Sequence, residues 1–159
     1  MKIEDVMSKN VYFCSPSMNV AEAVAMMWTD DCGALPVVNE SGNMVGMITD
    51  RDICIALGTR DVNAGTLRVG DVFVPRLFSC KPGDDIHQAL ATMTANKVRR
   101  LPVIGSRGTL QGIVSIDDVV LNAETIPKTI EGPNCGDVLM ALKVLCQPRQ
   151  ESQQAAIHG

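Results

Sequence analysis

Gly46-Met47-Ile48-Thr49-Asp50-Arg51-Asp52 returns sixty-six residues later as Gly112-Ile113-Val114-Ser115-Ile116-Asp117-Asp118, and the register between the two copies runs without a gap for about fifty residues. At that one offset Asp5, Val6, Cys14, Pro16, Ala23, Ala25, Met27, Leu35, Pro36, Val37, Gly42, Gly46 and Asp52 meet identical residues at Asp71, Val72, Cys80, Pro82, Ala89, Ala91, Met93, Leu101, Pro102, Val103, Gly108, Gly112 and Asp118. The chain is an internal duplication whose matched positions are mostly core and turn residues, with one carboxylate among them. Two units of this length are too few for a solenoid. A repeat of this size also buries too little surface to be comfortably stable alone, so the halves are expected to share a core.

Each repeat parses in the same order. A short helical turn (Ile3 to Met7, and around Val69 to Phe73) leads into an extended piece, Val11 to Cys14 or Leu77 to Cys80. A helix follows, opened by Asn19 with Glu22 three residues on and by Asp85 with Gln88 three residues on, both suited to capping free amides. Val20, Ala23, Val24 and Met27 then recur at helical spacing, as do Ile86, Ala89, Leu90 and Met93. Two strands come next, Ala34 to Val38 with Met44 to Ile48 and Arg100 to Ile104 with Leu110 to Val114, each pair joined by a polar, glycine-bearing hairpin loop. A second helix begins at Thr49 or Ser115, with Ile53, Ile55, Ala56 and Leu57, or Val119, Val120 and Leu121, as its apolar cover. The expectation is an α+β fold of two βαββα repeats about a pseudo-twofold axis, plus a C-terminal helix. The boundaries expected are 1–60 for the first repeat, 61–68 for a linker, 69–123 for the second, 124–146 for an extension with a helix, and 147–159 for a disordered tail. Asn134 caps the extension helix, in which Val138, Leu139, Leu142, Leu145 and Cys146 line one side.

A net charge of −4 and a pI near 5.1 exclude a general polyanion binder, since non-specific nucleic-acid affinity needs many Lys/Arg–phosphate contacts. No apolar run approaches the length of a membrane span, so no membrane or nucleic-acid partner is expected and the location expected is cytoplasmic. There is no Ser-His-Asp or Cys-His arrangement and no Gly-x-x-x-x-Gly-Lys loop, which places enzyme activity last among the classes. The six cysteines have no Cys-x-x-Cys spacing; Cys32 and Cys54 read as small buried hydrophobes.

The chemistry sits in the opening motif. An apolar strand ends on a hydroxyl residue that starts a helix, so Thr49 and Ser115 stand where free backbone amides and the helix dipole favour a phosphate. One turn on, Asp52 and Asp118 offer a carboxylate that accepts two hydrogen bonds at once, as the paired hydroxyls of a ribose require. A hydroxyl followed three residues later by an acid is also an ordinary capping box, and the two roles are compatible. Its recurrence in register favours a nucleotide lying across the mouth of each repeat.

With Leu35-Pro36-Val37 and Leu101-Pro102-Val103 and both terminal motifs in place, the span from Asp5 to Ala123 resembles a tandem pair of CBS domains, the Bateman module, of the short stand-alone bacterial kind. The resemblance implies two clefts able to take AMP, ADP, ATP or S-adenosylmethionine, a homodimer, a regulatory role and a regulated protein partner. It also implies basic residues before the Leu-Pro-Val strand and before the terminal Asp. Those positions hold Arg99 and Arg100 in the second repeat but Gly33 and Ala34 in the first; Arg51 precedes Asp52, whereas Asp117 precedes Asp118. If such residues reach across the axis, Arg99 and Arg51 meet the cleft of Ser115 and Asp118, while Arg100 and Arg99 meet that of Thr49 and Asp52, faced by Asp117. His87 and His158 read as surface residues. The competing reading is a scaffold in which Cys14 and Cys146, helped by Cys80, Cys135 or a histidine, form a disulfide or zinc site; no metal is expected on the leading reading. A plainer third reading is a dimerisation scaffold with empty clefts.

Overall fold

Residue 36 decides how far the first sheet extends. The computed structural model describes residues 1–123 and 132–147. Its elements are α1 (Ile3–Val6), α2 (Val20–Thr29), β1 (Ala34–Val38), β2 (Met44–Thr49), α3 (Asp50–Arg60), α4 (Ile86–Asn96), β3 (Arg100–Ile104), β4 (Leu110–Ser115), α5 (Ile116–Asn122) and α6 (Cys135–Leu145). The hairpins β1–β2 and β3–β4 are antiparallel, with Ala34 opposite Thr49 and Arg100 opposite Ser115. Their turns hold Gly42 and Gly108 at φ of 77° and 78°, a conformation glycine adopts without strain. The extended piece before each first helix was expected to be a strand. It is a single parallel bridge, Cys14 to Val37 and Cys80 to Val103. Cys14 N–H donates to the Pro36 carbonyl (3.0 Å) and Val38 N–H to the Cys14 carbonyl (2.9 Å), but the next rung back needs an N–H on residue 36, and proline has none. Pro102 stops the pairing of Cys80 in the same way.

Instead of one shared core, the buried side chains form two clusters. One gathers Val20, Ala23, Leu35, Val37, Ile48 and Ile53 of the first repeat with Leu67 and Val69 from the start of the second. The other gathers Ile86, Met93, Leu101, Val103, Val114 and Val119 with Ile3 from the start of the first, and with Val138 and Ala141 of α6. The halves are joined by exchange of their leading segments. Ser8 pairs with Ile113 on the open edge of β4, and Val74 pairs with Met47 on the open edge of β2. Two backbone hydrogen bonds of 2.9–3.2 Å close each pair.

The exchange explains the paired glycines of the repeated motif. A Cβ on Gly46 would collide with the Val74 carbonyl and the Phe73 ring, and one on Gly112 would lie 2.7 Å from Met7 Sδ and 2.8 Å from the Ser8 carbonyl oxygen. Every isolated bridge obeys the same offset. Lys2–Asp85 mirrors Asn19–Arg68, and Asn43 bridges Thr109, its own equivalent, so that pair lies on the pseudo-twofold axis.

Cys14 and Cys80 are core residues in equivalent places, and burial pushes both thiols up to about 11. Cys32 is partly buried, but Cys54, read from sequence as buried, is exposed on α3. Val120 and Leu121 likewise face out, and only Val119 of that trio is buried. Helix α6 starts at an Asn134–Asp137 capping box and packs on α4 and α5. Its inner stripe is Val138, Ala141, Leu142 and Leu145, because a 100° advance per residue carries Leu139 and Met140 outward; Leu139 is 55% exposed and Cys146 is exposed too. The tail expected over 147–159 lies, from 148 on, outside the described residues, as do 124–131 and His158.

Two outcomes follow from this packing. Gly46→Ala forces the Val74 segment off β2 and is expected to destabilise by roughly 1–3 kcal/mol, whereas Gly58→Ala, in helix α3 with open space around it, is expected to stabilise by up to about 1 kcal/mol in chemical denaturation. Ala141→Glu buries a charge against α4 and should lower the melting temperature by roughly 10 °C, while Met140→Glu next to it should change it little.

Candidate functional site

The strand–helix corners form as the repeated motif requires. At the first, Thr49 Oγ1 accepts from the Asp52 N–H (3.1 Å) and donates to Asp52 Oδ2 (2.6 Å), while Thr49 N–H donates to the same oxygen (3.1 Å). At the second, the corresponding distances for Ser115 and Asp118 are 3.2, 2.7 and 2.7 Å. Both corners are therefore full capping boxes. Among the described residues, the second carboxylate oxygen, Oδ1 of Asp52 and of Asp118, accepts no hydrogen bond. A ribose acceptor can coexist with the cap.

The backbone amides do not wait for a phosphate. In the first turn of α3, Asp50 N–H donates to the Gly33 carbonyl (3.1 Å), Arg51 N–H to the Asp50 carboxylate (2.7 Å) and Asp52 N–H to Thr49 Oγ1. At α5, Ile116 N–H donates to the Arg99 carbonyl (2.8 Å) and Asp118 N–H to Ser115 Oγ, while Asp117 N–H has no such partner among the described residues. At α3 this corrects the expectation that open amides cradle an anion; at α5 one amide remains open. At the Thr49–Asp52 corner, charge for a phosphate must come from side chains.

A cleft of about 400 Å³ opens between the repeats beside Ser115 and Asp118. It is lined by the turn from α2 into β1, Asp30 to Leu35, by Asn10, Val11 and Tyr12, by the exchanged pair Ser8 and Ile113, and by Arg100 and Asp117. Arg51 and Arg99, expected here, are not among its lining residues, whereas Asp117, expected to face the other cleft, is. The reason is the pseudo-twofold: residue 33, not 99, occupies this wall, and residue 117, not 51, follows Ile116. Asp30, Asp31, Asp117 and Asp118 give the cleft an acidic rim, against one arginine.

Sequence reasoning missed Tyr12, Asn10 and Asp30–Asp31. Tyr12 had a signal, since Phe78 is its counterpart at the repeat offset and an aromatic at both positions is not a turn feature. Arg76, the counterpart of Asn10, lies over the Phe78 ring with 5.9 Å to its centroid. Among the described residues, Arg51, Arg99 and Arg100 make no ion pair or side-chain hydrogen bond.

The cysteine pair is not brought together. Cys14 lies in the first repeat's cluster with its thiol against the Pro36 carbonyl (3.6 Å), and Cys146 is exposed at the end of α6 on the second. No group of three or more His, Cys, Asp or Glu among the described residues is placed to hold a metal ion. His87 is more than a surface residue: its Nδ1 is 2.8 Å from Asp85 and its Nε2 is 3.6 Å from Asp137, tying α4 to α6. Desolvation, the largest single influence on Asp85, acts to raise its pKa, but the His87 amide, ring and charge and the chain's amino terminus together outweigh it and hold the carboxyl below the usual range. No helix among the described residues is long and apolar enough to cross a membrane.

Comparison with known proteins agrees with the fold. CBS domain-containing protein YhcV of Bacillus subtilis is 34% identical over 120 residues, 76% of this chain and 84% of that protein. The crystal structure of Hypoxic Response Protein I with two coordinated zinc ions superposes with a TM-score of 0.71 at 27% identity, over 78% of this chain and 100% of that one. CBSX2 in complex with AMP gives a TM-score of 0.66 at 26% identity, over 76% and 93%. The sequence matches the CBS domain family at residues 3–59 and again at 69–123, so the chain belongs to that family as a tandem pair.

Proposed function

We propose that the chain is a non-catalytic sensor of an adenosine-containing ligand, of the class of AMP, ADP, ATP or S-adenosylmethionine, that works in the cytoplasm as a homodimer and reports to a protein partner. One observation carries the reading. The cleft has the volume of a small-ligand pocket and is bounded by Ser115 and Asp118, with a carboxylate oxygen left free beside it. AMP bound to the similar CBSX2 supports the adenylate class. Thr49, Asp52, Ser115 and Asp118 are assigned to ribose and corner geometry, and Arg51, Arg99 and Arg100 to phosphate.

The homodimer rests on an uncovered face. In the second repeat Leu90 of α4 is 5% exposed, with α6 packed on that helix. Its counterpart Val24 on α2 is 42% exposed, and Trp28, one turn on, is 87% exposed. An indole standing in water on an apolar helix face suits burial against a second copy.

Adenosine and AMP are expected to raise the melting temperature by mass action on the folded state. In calorimetry the double variant Asp52→Asn/Asp118→Asn, which keeps an acceptor for each cap, is expected to weaken adenosine by about tenfold or more. Unchanged binding removes the ribose assignment. Trp28→Asp should shift the native mass measured by light scattering from dimer to monomer.

A further inference from the structure

The two strand–helix corners are built on one backbone plan, and the residues that the repeat offset places around them carry opposite charge. Shifting the lining of the Ser115–Asp118 cleft by the repeat offset identifies the residues equivalent to it around the Thr49–Asp52 corner. Where the first has Asn10, Asp31, Gly33 and Asp117, the equivalent positions of the second are Arg76, Lys97, Arg99 and Arg51. The mirrored corner bonds support this transfer: Asp50 N–H to the Gly33 carbonyl at 3.1 Å and Ile116 N–H to the Arg99 carbonyl at 2.8 Å are the same contact in the two repeats. Arg100 borders both clefts, being opposite Ser115 in its own hairpin and the counterpart of Ala34 in the other wall.

Resting on the adenosyl reading above, we propose that the chain sorts its ligands by charge: a phosphorylated nucleotide binds at the Thr49–Asp52 cleft, and the Ser115–Asp118 cleft takes an adenosyl ligand without phosphate. The physical basis is the state of the backbone. The first-turn amides of α3 are already bonded to the Gly33 carbonyl, the Asp50 carboxylate and the Thr49 hydroxyl, so helix geometry alone offers a phosphate little. Guanidinium groups then decide where a phosphate goes, because they bind it through charge-assisted, bidentate hydrogen bonds. Arg51 and Arg99 form no ion pair among the described residues and are available for it. At the acidic rim, a phosphate beside Asp117 and Asp30–Asp31 meets like charge with only Arg100 to offset it. The same ribose-binding carboxylate thus serves two ligand classes, separated by what stands next to it.

The test is calorimetry of the full chain with AMP and with adenosine, using Asp52→Asn, Asp118→Asn, the pair Arg51→Asp/Arg99→Gly, and Asp117→Arg. Melting is followed for each variant so that unfolding is not mistaken for lost binding. The expected result is one tight AMP event, lost in Asp52→Asn and kept within about twofold in Asp118→Asn. The arginine pair, which gives the basic cleft its mirror's residues, should weaken AMP by about tenfold or more while adenosine changes by less than about threefold. Asp117→Arg should strengthen AMP at the second cleft. AMP lost in Asp118→Asn but kept in Asp52→Asn, or two AMP events of equal affinity in the parent, overturns the sorting and leaves the nucleotide reading standing. Absence of both AMP and adenosine binding in the folded parent overturns the nucleotide reading itself, and the sorting with it.

Discussion

The structure depends on a backbone crossing with no room for a side chain. At Gly46 and at Gly112 the leading segment of the opposite repeat passes so close that a methyl group would meet a carbonyl oxygen. Because of that approach, Val74 and Ser8 reach the outer edges of β2 and β4 and complete sheets that would otherwise present open hydrogen-bonding edges. Ile3 and Val69 then fall into cores made by the other half, fully buried in each case. Neither repeat closes its own core without the other's leading segment, and the cleft between Ser8, Ile113 and Ser115 exists because the crossing places them side by side.

On that frame, the corner residues hold two jobs in one pair of side chains. The Thr49–Asp52 and Ser115–Asp118 boxes end a strand, start a helix and fix the carboxylate in place, each cap contributing about 1 kcal/mol to stability. Only one oxygen of each carboxylate is used for this. A group held rigid by a structural bond, with one acceptor still free, loses little entropy when a ligand arrives, which is the usual advantage of preorganisation.

Much of this was legible from local chemistry. The hairpins, their glycine turns and the caps at Asn19, Asp85, Thr49, Ser115 and Asn134 follow from spacing and residue type, because each is set by neighbours within a few positions, and the pseudo-twofold follows from the constant repeat offset. The exchange of leading segments was not, since Ile3 and Val69 look like ordinary apolar residues of their own repeats and only topology assigns them elsewhere. The expectation of Arg51 and Arg99 at the Ser115–Asp118 cleft failed for the same reason: it depends on which segment faces which corner. The outward turn of Leu139, with Ala141 taking the inner position, shows hydrophobicity giving way to helical phase. The spent amides were hidden as well, because the carbonyls of Gly33 and Arg99 that accept from the helix starts carry no trace in side-chain identity.

The exchanged segments also speak to how such a chain arises. A solitary ancestral repeat, unable to fill its own core or edge, would be stable only as a swapped pair of identical copies, with an intermolecular twofold where Asn43 now meets Thr109. Every cleft in that pair would be the same, and every substitution would appear in both. Fusion into one polypeptide ended that obligation. Residues 51 and 117, or 33 and 99, became separate genetic positions, free to diverge in charge while the glycines and corner carboxylates that hold the halves together stayed matched.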